Sequence, residues 1–269
     1  MKNEKNYSRE HLTYLHHAKK KNIWINVSRV TFLVLFLCLW ELSAQLVWVN
    51  PFITSSPSRI FKTLVDLHQN GTLLYHVCTT LWETLAGFFI AVILGYGIAL
   101  LLWWSEVFRR ISEPYFVVLN ALPKIALGPL IIIWFGTGKT AIVFMTVLIG
   151  LIVAILNMLN GFMETDENKL LLMKSMGASK WQILTKLVIP SSLPSFISML
   201  KINVGMAWIG SIMGEYIVSK AGIGYLIVYG GQVFKLDLVM CAVFILCILA
   251  ALMYAAVAFL ERLVIKNRK

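Results

Sequence analysis

Charge is what this sequence has least of. Only 14% of its 269 residues are Asp, Glu, Lys or Arg, against 59% hydrophobic, and the mean hydropathy is +0.78. Soluble domains carry about 25% charged and 45–50% apolar residues, so a soluble globular chain is excluded. Acidic residues number thirteen and are dispersed, whereas an integral membrane enzyme would gather Asp, Glu, His or Ser near one interface. An ion-coupled secondary carrier, the main rival reading, would show intramembrane carboxylates for its coupling ion, and only Glu41 stands clearly inside an apolar block. The four cysteines, Cys38, Cys78, Cys241 and Cys247, make no C-x-x-C. The five histidines, His11, His16, His17, His68 and His76, are scattered over polar segments, so no metal is expected. Internal repeats and low-complexity stretches are missing too, which removes the visible two-half logic of many carriers.

What the chain has instead is length in its apolar runs. Six blocks approach the 20 or so residues that a helix rising about 1.5 Å per residue needs to cross a bilayer core. They run from Val30 to Val49, Thr84 to Trp104, Tyr115 to Phe135, Thr140 to Leu159, Leu193 to Met213 and Val239 to Leu260. All are apolar on every side, which excludes the alternating strands of a barrel. The expected fold class is an all-α integral membrane protein of six transmembrane helices.

Basic residues orient it, because short cytoplasmic loops hold an excess of Lys and Arg. Lys19, Lys20, Lys21 and Arg29 precede the first block, Arg109 and Arg110 follow the second, and Lys169, Lys174, Lys180 and Lys186 follow the fourth. Arg262, Lys266, Arg268 and Lys269 close the chain, while the opposite side holds only Arg59, Lys62, Lys139, Lys220 and Lys235. Both termini are therefore expected in the cytoplasm. The net charge of +11 reads as topology and attraction to anionic membrane lipid, with no nucleic acid as a partner. Residues 1–27 form a basic cytoplasmic tail with no cleavable signal peptide, and 28–269 the membrane domain. "GTGKT", Gly136 to Thr140, ends like a phosphate-binding loop, but the first glycine of that motif would fall on Ile133. It is read as a tight glycine turn, and the chain is expected to bind no nucleotide and no cofactor of its own.

One stretch does not look made for lipid: "ENKLLLMKSMGASKWQILTKLVIPSSLP", Glu167 to Pro194. Asp166 and Glu167 suit the positive end of a helix, and Leu170, Leu172, Met173 and Met176 recur at helical spacing. Gly177 then suits a left-handed ending, and Ser179 with Gln182 makes a capping-box start for a second helix. Trp181, Leu184, Leu187 and Val188 give that helix an apolar face, Pro190 is expected to stop it, and Pro194 to open the next span. Two amphipathic helices joined at a glycine corner on the cytoplasmic side can lie in the lipid interface, pack on the protein's own spans, or dock into a groove of a soluble partner. Spacing alone does not choose.

"SMGASKWQILTKLVIPSSLP" resembles the G-x9-I-x-L-P loop of the membrane permeases of bacterial ABC importers. Leu171, Leu172 and Met173 stand where that loop usually opens with Glu-Ala-Ala. "SSPSRIFKTLVDL", "ALPKIALGPLIIIWFGTG", "GEYIVSKAGIGYLI" and "FKLDLVMCAVFI" are similar to the branch that imports nitrate, sulfonates, taurine or thiamine-precursor pyrimidines. The third holds a Glu and Gly-x-Gly-Tyr pattern in Glu215, Gly222, Gly224 and Tyr225; a second-span position that is commonly basic is Glu83 here. The resemblance implies two permease copies, two cytoplasmic ATPase subunits that hold the ATP and Mg2+, and an extracytoplasmic substrate-binding protein. It also implies that the two-helix segment is the ATPase-coupling loop between spans four and five. Leu170, Met173, Met176, Gly177, Ala178, Ser179, Trp181, Leu184, Leu187 and Pro190 are its expected contact and shape residues.

Ionisable residues inside spans are costly and face interiors or cavities by default. Lys124, beside the irregularity of Pro123, Gly128 and Pro129, together with Glu41 and Lys201, are candidates for a translocation pathway, and the family pattern adds Glu215. The stripe Ile60, Phe61, Leu64 and Val65 is expected to pack at the lipid interface.

Overall fold

The computed structural model of the chain describes residues 9–266, and every regular element in them is helical. The chain divides into two compact units at Thr63–Leu64.

In the first unit, α1 (Arg9–Gln45) runs without a break from the basic tail into the first apolar block. It is followed by the short α2 (Pro51–Thr54) and the start of α3 (Pro57–Gln69). Glu41 accepts hydrogen bonds from the Ser58 amide at 3.0 Å, the Ser58 hydroxyl at 2.8 Å and the Gln45 amide group at 2.9 Å. It therefore caps the first turn of α3, where free amides and the helix dipole favour a negative group.

The second unit holds α4 (Thr72–Trp104), α5 (Glu106–Ala121), a 3-10 turn (Lys124–Leu127), α6 (Gly128–Phe135) and α7 (Lys139–Met163). After them come α8 (Glu167–Ser175), α9 (Lys180–Ile183), a π turn (Leu184–Val188), α10 (Ile189–Ser191), α11 (Leu193–Val218), α12 (Ile223–Gln232) and α13 (Leu236–Lys266). The core is a three-helix layer in which α7 lies between α4 and α11. Lipid offers no hydrophobic drive to hold such helices together, so close approach of small residues does. A side chain at Gly87 would meet Thr146 Cγ2 at 2.4 Å, one at Gly95 would meet Ala154 Cβ at 2.5 Å, and one at Gly210 would meet the Thr146 backbone at 2.5 Å. Around these crossings Phe88, Val92, Ala154, Ile155, Met158, Phe162, Met199 and Val204 are buried.

Among the described residues, five helices are long and apolar enough to cross a membrane: Ile23–Gln45, Thr72–Trp104, Lys139–Met163, Leu193–Val218 and Leu236–Val264. The expected third span, Tyr115 to Phe135, is not a straight helix. Residues 106–121 and 124–135 meet at 86°, and counting the bent pair as one crossing brings the total to six. Pro123 is the cause: its ring disfavours the helical conformation of Leu122, which is extended at φ −64° and ψ 137°. The "GTGKT" segment is the tight turn expected of it, with Gly136 at φ +74° and Gly138 at φ +148° between α6 and α7.

Candidate functional site

The segment between α7 and α11 has the local geometry its caps dictate. Asp166 accepts from the Asn168 amide at 2.9 Å and opens α8. At the far end Gly177 takes φ +74°. Its amide donates to the Lys174 carbonyl at 2.9 Å, and the Ala178 amide to the Met173 carbonyl at 3.0 Å. This paired 5→2 and 6→1 closure is the Schellman ending. Ser179 then accepts from the Gln182 amide at 3.3 Å while Gln182 accepts from the Ser179 amide at 2.8 Å, the reciprocal capping box. Pro190 does not stop the second helix, contrary to the sequence expectation. The wide π turn at 184–188, closed by the Ile189 amide on the Leu184 carbonyl, makes room for a residue that cannot donate, and the helix runs on to Ser191. Pro194 lies in the first turn of α11 as expected.

Burial divides the expected loop residues into two sets. Leu170, Met173 and Ala178 pack half-buried on the core, Leu184 is buried within it, and Leu187 and Pro190 are half-buried. Met176 and Trp181 are exposed, as are Gly177 and Ser179 at the corner. Two residues outside the expected set, Leu171 and Leu172, are also exposed and complete an apolar face with Met176. Sequence spacing put Leu170, Leu172, Met173 and Met176 on one stripe, but the core takes Leu170 and Met173 and leaves 171, 172 and 176 outward.

Lys180 fastens this loop to α4. Its ammonium donates to the Trp104 carbonyl, the last of α4, and lies 5.3 Å from the Trp104 ring centre and 6.0 Å from that of Trp103. The Trp181 ring meets Trp104 edge-on at 6.3 Å. A cation on the carbonyl end of a helix complements its dipole, and the indole face adds to it.

The opposite end of the three-helix layer holds a second constellation. Three consecutive amides in the loop from α11 to α12 have no helical partner, and each finds a side chain. Gly222 donates to His76 Nδ1 at 3.0 Å, Ile223 to Thr80 Oγ1 at 2.7 Å and Gly224 to Glu215 Oε2 at 2.5 Å. The acceptors come from two helices, α4 and α11, so the loop is a clasp across them. Only glycine fits at 222: its φ is +107°, and a Cβ would lie 2.4 Å from both Glu215 carboxyl oxygens. His76 also stacks on Tyr225, with ring centres 6.1 Å apart. The Glu and Gly-x-Gly-Tyr pattern is thereby accounted for as one interlocked unit. His76 and Thr80 carried no sequence signal, because they are read only across 140 residues of chain.

Beside the clasp opens a cleft of about 280 Å³ lined by Tyr75, Thr79, Glu83, the 137–139 turn, Ile142 and residues 218–221. Glu83 is 1% exposed, and its side chain is hydrogen-bonded to that of Glu215.

Neither Lys124 nor Lys201 is among the residues that line this cleft. Lys124 sits half-buried at the 86° bend, its ammonium donating back across the break to α5, to the Asn120 carbonyl at 3.4 Å and the Asn120 side chain at 3.3 Å. Lys201 pairs with Glu261 of α13 at 2.6 Å. Glu41 is the cap of α3 described above. Glu215 alone joins the clasp.

Comparison with known proteins gives this arrangement its kin. Residues 87–267 match the family described as binding-protein-dependent transport system inner membrane component. The formylaminopyrimidine transport permease protein of Halalkalibacterium halodurans is 32% identical over 238 residues, covering 88% of this chain and 94% of that protein. The taurine transport system permease protein of Escherichia coli is 25% identical over 257 residues, covering 92% and 94%. In fold, the chain is similar to a permease chain of the inward-facing MetNI methionine ABC transporter, with TM-score 0.60 at 20% identity over 70% of this chain and 96% of that one. A chain of a bacterial alginate ABC transporter gives TM-score 0.63 at 12% identity over 93% and 98%. With its apolar spans, its capped two-helix loop and a family match over most of its length, the chain belongs to the binding-protein-dependent transport system inner membrane components, and is a multi-pass permease of the cytoplasmic membrane.

Proposed function

We propose that this permease works as a homodimer with two cytoplasmic ATPase subunits and an extracytoplasmic binding protein, and that residues 166–192 couple ATP hydrolysis to transport. ATP and Mg2+ belong to the ATPase partners, and this chain has no nucleotide site of its own. Both termini and the 166–192 loop lie in the cytoplasm, the orientation the basic residues favour. The solute is small, of the nitrate, sulfonate, taurine or thiamine-precursor pyrimidine type, in keeping with the relatives whose names carry formylaminopyrimidine and taurine.

The observation that carries the coupling role is the outward face of Leu171, Leu172 and Met176, the last 75% exposed, on a loop whose every turn is otherwise capped. A face of that kind suits a groove on a soluble partner. Closure of the ATPase dimer on ATP would bear on this face, and the Lys180 contact would carry the load to α4. Switching between inward- and outward-facing states then follows from the differential affinity of ATP for the two.

Gly177→Val tests it. A branched side chain at φ +74° costs about 1–2 kcal/mol or reshapes the corner. The variant should reach the membrane at near-normal level, yet co-purify less ATPase or lose substrate-stimulated hydrolysis. Normal ATPase association together with normal stimulated transport would return the loop to a lipid-interface role. Labelling of Ser179→Cys in intact cells checks the orientation: a membrane-impermeant maleimide should not reach it.

A further inference from the structure

Three helix ends in this chain close in the same way, but they do not carry the same kind of residue. In each, a left-handed residue donates its amide three residues back, and the next amide reaches five residues back. At the end of α8 the left-handed residue is Gly177. At the end of α12 it is Phe234, at φ +56°: its amide donates to the Gly231 carbonyl at 3.3 Å, and the Lys235 amide to the Gly230 carbonyl at 2.8 Å. In the first unit, the end of α1 closes alike around Val47, also at φ +56°. Glycine takes this position without penalty, whereas a bulky or β-branched residue there is strained. On the proposed orientation the glycine corner faces the cytoplasm, and the two strained corners face outward.

Backbone strain of this kind persists where the side chain has a use, and it gathers at sites of contact. Phe234 has no such use within its own fold. It is 70% exposed, and residues 231–235 are all exposed, so the ring fills no part of the core. An exposed aromatic outside the core is suited to the bilayer interface or to another protein. The interface favours Trp and Tyr, whose polar tips reach the headgroups while the ring stays apolar. Phe has no polar tip, and its exposed neighbours Gln232 and Lys235 keep the corner among polar groups. The double closure holds the backbone fixed, so the ring is presented from a rigid mount and little ordering remains to be lost on contact. A preorganised aromatic inside a polar rim has the make-up of a binding hot spot. In a binding-protein-dependent system, the protein that must meet the outer side is the binding protein.

We propose that Phe234 is a docking knob for the extracytoplasmic binding protein, seated in an apolar recess of that protein while Lys235 meets an acidic group on the rim. The proposal rests on the importer reading and names the residue through which the binding protein engages this chain. It also accounts for the residue type: glycine at 234 would relax the corner and remove the contact together.

The experiment begins with the full chain in its own host cells. Position 234 is replaced by the photoreactive p-benzoylphenylalanine, and the cross-linked product is identified by mass spectrometry. The expected product is an extracytoplasmic solute-binding protein. That protein, loaded with solute, is then titrated against proteoliposomes holding this chain with its ATPase, and ATP hydrolysis is measured for wild-type protein, Phe234→Gly and Phe234→Leu. Phe234→Gly should melt no lower than wild type, because the left-handed strain is relieved. It should nonetheless need about tenfold more binding protein for half-maximal stimulation, the factor expected when a hot-spot side chain is removed. Phe234→Leu, apolar but smaller, should fall between the two. A merely structural Phe234 would not give undiminished stability together with weakened stimulation. Cross-links to no protein, or only to lipid, a second copy of this chain or a cytoplasmic protein, would overturn the proposal. Wild-type stimulation of Phe234→Gly, or a melting temperature well below wild type in that variant, would overturn it as well. Wild-type protein that retains no ATPase overturns the importer assembly and the proposal with it, whereas failure of these arms in an assembled complex overturns the role of Phe234 alone.

Discussion

At the 166–192 end of the three-helix layer the turns close on themselves: Gly177 and Ala178 donate back into α8, and Ser179 and Gln182 cap each other. At the 219–225 end the turn closes on its neighbours, with three successive amides held by His76, Thr80 and Glu215 of two other helices. Self-contained turns keep their shape while their surface stays free to meet a partner. The second turn has a local closure too, the Ala221 amide on the Ser219 hydroxyl at 3.0 Å, but its next three amides tie it to how the other helices stand. The first arrangement suits a docking part and the second a latch.

Two glycines make the contrast measurable, because both require left-handed backbone but differ in surroundings. Gly222→Ala, where the new carbon would meet the Glu215 carboxyl at 2.4 Å, should give the largest effect: a several-fold loss of folded protein recovered from membranes, as expected when more than about 2 kcal/mol of strain enters a marginally stable fold. Gly177→Ala has the same torsional problem and nothing within 4 Å, so its penalty should stay near 1 kcal/mol. Thermal unfolding of the purified variants checks both, and equal shifts would break the comparison.

Next in size is a pair of charge insertions on α8. Leu170→Asp places a charge against the core and should lower membrane yield, by roughly 2 kcal/mol or more. Leu171→Asp, one residue on and facing outward, should leave yield intact and reduce co-purification of the ATPase. The contrast collapses if both variants fail in the same assay.

Thr80→Val sharpens the latch end. The buried Ile223 amide loses its acceptor while volume is nearly conserved, for about 1–3 kcal/mol. Protease accessibility of the 219–225 loop should rise more than that of the 166–192 loop. Smallest of all should be Lys180→Met, which removes one exposed contact worth about 1 kcal/mol or less. Yield should not change, and ATPase activity should become less responsive to loaded binding protein.

Local rules explain why some of this was legible in the sequence. The Schellman glycine and the capping box are decided within six residues of chain, so Gly177, Ser179 and Gln182 could be read before any tertiary structure was known. The apolar blocks likewise announce their spans. The exceptions arise where distant chain decides. Whether Leu170 or Leu171 faces outward depends on the core against which α8 lies, since at helical spacing three apolar neighbours fit more than one stripe. Pro190 looked like a terminator because the π turn that absorbs it leaves no residue signature. The break at Pro123 was visible as irregularity, but not its 86° angle. Lys201 and Glu41 looked like pathway residues because sequence shows a charge without its partner. Glu261 and Ser58 supply those partners.

Helix α4 is one unbroken element of 33 residues, about 50 Å long at 1.5 Å per residue. It bears His76 and Thr80 near one tip and the Trp104 carbonyl held by Lys180 at the other. Its tightest crossing, Gly87 on Thr146, falls close to its midpoint. A rod pinned at its centre is a lever with equal arms. Were α4 to rock about that crossing by 5°, each tip would travel about 2 Å, in opposite directions and with no mechanical gain. Two ångströms exceeds the slack of a hydrogen bond between 2.7 and 3.2 Å. The length and fulcrum of one helix thus set the smallest stroke at the loop that could open the latch.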